Sequence, residues 1–292
     1  MSSVEQPTSS TKDHVPFMAR LRLRQIRLVA AVLTLLGREA AARRFLICCR
    51  SWPVLRRCAE ACLGFRRTFP SFADAQACAS RYIRAGHEHP DEIIFHRSSS
   101  GKLRESDYPV LFHLAPVAGT LRRVLDLGGS VGNLFYSYQP RVPFPSDVAW
   151  QIFDIPAVRT LGEKLAASRS ETRLRYVDSL ACGKGCDLFL ASGSLHYFEE
   201  PLDVLLETMG SSPAHVIVNR TPCSDGEDLI TVQDNGTFLV PCKLHSRSKI
   251  IAGMNRLGYE LVAEWPVFER ALVVPLHPEV SARQYSGFYF RR

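Results

Sequence analysis

The stretch Val124-Leu125-Asp126-Leu127-Gly128-Gly129-Ser130-Val131-Gly132-Asn133 puts a carboxylate at the end of an apolar run, with a glycine-rich turn directly behind it. Glycine lets a backbone come close to a nucleoside-type ligand, because no side chain stands between them. A carboxylate just ahead of such a turn suits a cofactor with an amine-bearing tail better than one with a pyrophosphate. The spacing excludes two common phosphate sites. A dinucleotide turn wants G-x-G-x-x-G, and Ser130 stands where the second glycine is needed. A P-loop needs Gly-Lys-Ser/Thr after the turn, and Asn133 rules that out.

Other acids follow at the ends of further strand-like runs. Ala149-Trp150-Gln151-Ile152-Phe153-Asp154-Ile155-Pro156 ends on an acid 28 residues after Asp126. An ionised Asp154 has two acceptor oxygens, enough for both hydroxyls of a ribose. Arg175-Tyr176-Val177-Asp178-Ser179 places a third acid after a third run. A fourth run, from Cys186 through Ser192-Gly193-Ser194-Leu195-His196-Tyr197 to Pro201, ends in small residues and a histidine. His196 is the candidate general base, with a structural role beside the cofactor as the alternative. Arg220, followed by Thr221, could hold an anionic acceptor bidentately or form a structural ion pair. His245, Arg247 and Lys249 either line an acceptor pocket or form a polar helix start.

The elements that must position these residues alternate along the chain. Strands are expected at 122–127, 148–153, 173–177, 187–191, 214–219, 259–265 and 285–290. Helical segments at 131–139, 156–168, 200–210 and 246–257 separate them. A further helix is expected over 108–119, and another starts from an N-cap at Ser71. Such alternation predicts a mostly parallel sheet covered on both faces. The last two strands have no helix between them and predict an antiparallel hairpin at a sheet edge.

The 292 residues carry a formal charge of +7, unevenly spread. Residues 1–67 hold 13 Lys and Arg against 4 Asp and Glu, so the remainder is net −2. A basic segment ahead of a near-neutral domain points to an anionic surface such as a membrane, not to nucleic acid. Residues 1–17 read as a disordered tail and 18–107 as a basic helical region. Within it, 18–49 is a helix that packs on the domain or lies on lipid. The domain proper is expected over 108–292. The apolar run Leu28–Leu36 is too short to span a bilayer. Arg43-Arg44 follow it closely, which speaks against a signal peptide. The nine cysteines show no repeated spacing, which fits reduced thiols in a cytoplasmic protein. No metal site is expected, and zinc on Cys182, Cys186 and Cys223 is the weaker alternative.

Taken together, the four acid- and glycine-bearing segments resemble class I S-adenosylmethionine-dependent methyltransferases. That resemblance implies a Rossmann-like α/β fold: a seven-stranded, mostly parallel sheet with a C-terminal antiparallel hairpin, here preceded by an N-terminal helical segment. It implies S-adenosyl-L-methionine as cofactor, with Asp126 on the methionine amino group and Asp154 with Ile155 at the ribose. Asp178 and Ser179 would meet the adenine. Gly128, Gly129, Ser130, Gly132, Ser192 and Gly193 would line the cofactor, and His196 and Arg220 the catalytic side. Ser130 departs from the commonest pattern, which has glycine there.

From Phe69 to Val267 the chain also resembles a family of bacterial methyltransferases often encoded beside surface-polysaccharide genes. The resemblance includes Asn219-Arg220-Thr221-Pro222, Leu229-Ile230-Thr231-Val232-Gln233 and Gly258-Tyr259-Glu260-Leu261-Val262. It implies a small-molecule or glycan-precursor acceptor. The basic segment and the reduced thiols add the expectation of a cytoplasmic protein, peripheral on the inner face of the membrane. Two other readings stay open: a nicotinamide-dependent sugar-nucleotide oxidoreductase, and a non-catalytic module that tethers a complex to the membrane. No Tyr-x-x-x-Lys pair supports the former. No Asn-Pro-Pro-Tyr-type motif supports nucleic-acid methylation.

Overall fold

The computed structural model describes residues 68–80, 101–234, 239–272, 274, 281–282 and 284–292. The readings for 1–67, including the basic helix 18–49, lie outside the described residues. The strands are β1 (Arg123–Leu127), β2 (Ala149–Phe153), β3 (Leu174–Val177), β4 (Leu188–Ser192), β5 (His215–Ser224), β6 (Leu229–Asp234), β7 (Leu239–Ser246), β8 (Glu260–Val267) and β9 (Tyr285–Arg291). The helices are α1 (Phe72–Ser80), α2 (Asp107–Leu114), α3 (Asn133–Tyr138), α4 (Pro156–Ser168), α5 (Leu202–Met209) and α6 (Arg247–Arg256).

β1 through β5 are parallel, in the spatial order β3-β2-β1-β4-β5. The chain lays down β1, β2 and β3 in one direction and then returns to place β4 and β5 on the other side of β1. Beyond β5, β9 pairs antiparallel with it, and β8 pairs antiparallel with β9. This is the expected Rossmann-like sheet with its terminal antiparallel hairpin.

Burial on both faces explains why these strands read as almost continuous apolar runs. Val124, Leu188, Leu190 and Ile217 point into one core layer with Phe135 and Tyr138 of α3. Leu125, Leu127, Phe189, Ala191, Val216 and Val218 point into the other, with Leu205 and Leu206 of α5 and Met254 of α6. Local signals agree with the packing. Pro156 opens α4, where a missing N–H costs nothing. Gly210 closes α5 in the left-handed conformation. Ser71 caps α1, its Oγ accepting the Asp74 N–H at 3.0 Å. The segment 108–119 is helical only to Leu114, and a 3-10 turn follows at Ala118–Thr120.

Two strands were not anticipated. β6 and β7 form an antiparallel hairpin that brings the sheet to nine strands, not the expected seven. Its signal is present in the sequence: Asn235-Gly236, a favoured hairpin-turn pair, lies between two apolar-rich runs. β7 joins β5 only at Cys223 and Ser224, beyond the end of β4. α1 packs on both strands of the hairpin, and Phe69 bridges to Ile230.

On the β8–β9 ribbon, Gly287 sits directly opposite Trp265. A Cβ at Gly287 would overlap the Trp265 indole, whose Nε1–H donates to Asn219 Oδ1 at 3.1 Å. Gly287→Ala therefore overpacks this contact and is expected to destabilise the protein by about 1–3 kcal/mol, read as a lower urea midpoint with unchanged slope.

Candidate active site

All the strand-end residues singled out above lie at the C-terminal edge of the parallel sheet. In open α/β sheets, ligands bind at that edge where the strand order reverses, which here is the crevice between β1 and β4. Asp126 occupies this point and is fully buried. The Trp150 indole N–H donates to its Oδ2 at 3.1 Å, while Oδ1 has no hydrogen-bond partner. Burial pushes its carboxyl up to about 7; Asp154 adds to the rise, and Trp150 and Arg220 oppose it.

The turn above it is shaped around that carboxylate. A Cβ on Gly129 would lie 2.5 Å from the Asp126 carboxyl carbon, so only glycine fits there. Gly128 and Gly132 have positive φ, and Ser130 adopts the same left-handed region with φ 57°. Ser130 is held in it by Asp154, whose Oδ2 accepts the Ser130 N–H at 2.8 Å. The other oxygen of Asp154 accepts the Ile155 N–H at 2.8 Å. Asp154 thus fixes the turn from the end of β2.

The remaining amides of the turn are largely engaged. The Gly128 N–H donates to Phe153 O at 2.7 Å, and the Gly132 and Asn133 N–H groups both turn back to Gly129 O. A pyrophosphate would need free amides at this place.

Asp178 and Ser179 are exposed at the end of β3. Ser192 and Gly193 end β4, and the Ser194 hydroxyl then bonds Leu127 O, tying the β4 loop to β1. His196 lies in the following 3-10 turn and is 3% exposed. Its ring is 4.2 Å from that of Tyr197 and 5.8 Å from that of Tyr285, centroid to centroid.

Arg220 is buried in the middle of β5, just beyond the end of β4, in a β-bulge where φ is 53° and the register to β9 shifts. The bulge re-aims the chain, so that two consecutive residues reach one segment. Asn219 Nδ2 donates to Ser106 O at 3.0 Å, and Arg220 NH1 donates to Asp107 Oδ1 at 2.9 Å. The Tyr138 hydroxyl donates to the same Asp107 oxygen at 2.9 Å, and Arg220 NH2 reaches Ser192 O at 3.3 Å. The ion-pair reading of Arg220 is thus realised. Asp107, Tyr138 and Trp150 are partners that the sequence reading did not assign. Asp107 lies 113 residues from Arg220, with no local signal linking them.

Among the acceptor-side candidates, Arg247 and Lys249 turn outward. Arg247 pairs with Glu264, and Lys249 with Glu227 at 2.5 Å. His245 is buried on β7; burial, with Lys243 adding to it, pushes its imidazole down to about 4. Among the described residues, no group of three His, Cys, Asp or Glu side chains is placed to hold a metal. Cys182 is exposed, and Cys186 is buried against Met209.

No family model matches the chain, and no curated protein matches it. Solved structures do. A 1,6-didemethyltoxoflavin-N1-methyltransferase of Burkholderia thailandensis, with bound 1,6-didemethyltoxoflavin and S-adenosylhomocysteine, is 15% identical over 77% of this chain and 92% of its own, with a TM-score of 0.47. The mitomycin 7-O-methyltransferase MmcR is 15% identical over 82% of this chain and 72% of its own, TM-score 0.44. A SAM-bound amino pentose methyltransferase of Micromonospora echinaspora is 12% identical over 68% and 96%, TM-score 0.43.

The raised Asp126 carboxyl sets a pH dependence of stability. An unfolded Asp ionises near its ordinary value of 3.8, while the folded one keeps its proton to about 7. Between these values the unfolded state binds fewer protons, so this residue makes stability fall as pH rises from about 4 to about 7. Asp126→Asn is expected to remove that component. Melting of the ligand-free variant should gain on the wild type at pH 8 and not at pH 4.

Proposed function

We propose that this chain transfers a methyl group from S-adenosylmethionine to an oxygen of a small molecule or of a sugar or glycan precursor. One observation carries the reading: the buried Asp126 carboxylate under the glycine turn, with Oδ1 left without a donor. An ammonium group supplies both the missing donor and the missing countercharge, and the methionine end of this cofactor has one. A nicotinamide dinucleotide offers the same point a pyrophosphate, against an acid and a turn whose amides are largely taken. That favours the sulfonium cofactor.

In this reading Asp126 binds the ammonium, and Asp154, beside Ile155, takes the ribose hydroxyls on its remaining lone pairs. Asp178 and Ser179 meet the adenine. Gly128, Gly129, Ser130, Gly132, Ser192 and Gly193 form the wall along the cofactor. When bound, the cofactor supplies a methyl group on a positive sulfur, already activated for displacement by an in-line oxygen. The protein's task is then to position the acceptor and remove its proton. His196, in the turn that follows β4, is the base that takes that proton. The sequence resemblance supports a glycan-precursor acceptor. The +9 charge of residues 1–67 supports peripheral contact with an anionic membrane face and a cytoplasmic location.

Calorimetric titration with S-adenosylmethionine and with NAD(H) tests the cofactor. Binding of the sulfonium nucleoside at a dissociation constant on the order of micromolar is expected, about −8 kcal/mol, and Asp126→Ala should lose it. Binding of NAD(H) alone would sink the reading. His196→Asn should keep cofactor affinity while lowering turnover on hydroxyl acceptors by about 10²–10⁴-fold. Full-length protein should float with anionic vesicles but not with neutral ones, and salt should release it.

A further inference from the structure

Arg220 is more than half of an ion pair. Its NH1 and NH2 groups are engaged by Asp107 and Ser192 O, yet its Nε–H is buried and has no hydrogen-bond partner. Buried polar atoms are normally paired, and a charged one left open is costly. A glycine lies directly against Nε. A Cβ on Gly193 would stand 3.3 Å from it, and Gly193 has a φ of +79°. Gly193 leads into Ser194, whose Cβ is packed against Gly128, and Gly128 into Gly129, which lies on the Asp126 carboxylate. One continuous cradle of small residues therefore runs from the open Nε–H of Arg220 to the open Oδ1 of Asp126.

The charge around the arginine end favours an anion. Arg104, Arg220 and Arg270 share their electrostatic surroundings with Asp107 and Glu269, three guanidinium groups against two carboxylates. The backbone also departs from the norm for this contact. Regular alternation along β5 would turn Arg220 toward the Val216 and Val218 side; the left-handed bulge turns it toward Asp107 instead. A non-glycine residue at positive φ is strained and persists where the surroundings hold it there. The cradle thus has an open acceptor at one end and an open cationic donor at the other, the complement of an α-amino-acid zwitterion.

We infer that Arg220 binds the carboxylate of the methyl donor's amino-acid end through its Nε–H, while Asp126 binds the ammonium of the same group. The inference rests on the cofactor reading proposed above and adds a residue to it. It gives Arg220 a role on the donor instead of on the acceptor. Asp107 is then a positioning residue: it holds the NH1 side of the guanidinium to α2 while Ser192 O holds the NH2 side, so that Nε faces the cradle.

The test compares S-adenosylmethionine with its decarboxylated analogue by calorimetry, on wild type, on Arg220→Lys and on the double variant Asp107→Asn with Arg220→Met. Arg220→Lys keeps a countercharge for Asp107 but has no Nε–H. The double variant removes both charges, so that neither is left buried alone. Wild type should prefer the carboxylate-bearing ligand by about ten- to hundredfold, the range of a charge-assisted hydrogen bond. In both variants the preference should fall to about twofold or less, with affinity for the decarboxylated ligand nearly unchanged. A purely structural role would weaken both ligands alike and leave the ratio as it was, and that result would overturn the assignment. If wild type binds neither nucleoside, the cofactor reading and this inference fall together. A preserved ratio with tight binding refutes this inference alone.

Discussion

An ionisable carboxylate at the centre of the sheet is the constraint on which the rest of this site depends. Asp126 sits among three core residues of β1, Val124, Leu125 and Leu127, and is as inaccessible as they are. Burying a charge without a full set of partners is expensive, and the folded protein answers by holding the proton to about neutral pH. The tight packing of Gly129 on that carboxylate then follows from lack of space, and the capture of the Ser130 amide by Asp154 from the need to pin a turn that passes directly over it. A fold selected only for stability would place an apolar side chain here. On the proposed reading an arriving ammonium group offsets that cost, so that ligand binding and relief of a folding penalty would be the same event.

The second acid and the bulged arginine extend this logic along the strand ends. Asp154 cannot be separated from the turn it holds: a change that frees the Ser130 amide also alters the floor over Asp126. Arg220 links outward instead, through Asp107 to the start of α2 and through Ser192 O to β4. Tyr138 closes that network from α3. Helices on one face of the sheet are thereby tied to the ligand edge by buried polar contacts. Such contacts specify one arrangement more sharply than apolar packing does, because any slip leaves a donor or acceptor unpaired.

The sequence made some of this readable and hid the rest for identifiable reasons. The strand ends were legible because burial on both faces leaves runs such as Val124–Leu127 and Leu188–Ala191 almost wholly apolar. An acid or a cluster of small residues then stands out at the edge. Pro156 and Ser71 announced helix starts by local chemistry. The β6–β7 hairpin was legible in principle from Asn235-Gly236, but neighbouring helix-like segments favoured a continued alternation. The Asp107–Arg220 pair was not legible. Its partners are remote in sequence, and the bulge that joins them depends on β9 pairing with β5, a tertiary event that local propensity does not record. Arg247 and Lys249 read in sequence as either pocket lining or a polar helix start, and they pair with Glu264 and Glu227 at the surface.

On the proposed reading, the donor and acceptor sides are built on differently attached parts of the sheet. Everything assigned to the donor sits on β1 to β4 and on the first part of β5, inside a sheet whose strands are fixed on both sides. The β6–β7 hairpin is attached differently. It pairs with β5 only at Cys223 and Ser224, past the end of β4, and is otherwise held by α1 and by the turn that carries His196. Substitution within the hairpin changes the surroundings of His196 without moving Asp126, Asp154 or the glycine turn. On the proposed reading the donor side therefore rests on the fixed strands and short motifs, and the acceptor side on the hairpin and its loops, where a sequence carries the least information about what is bound.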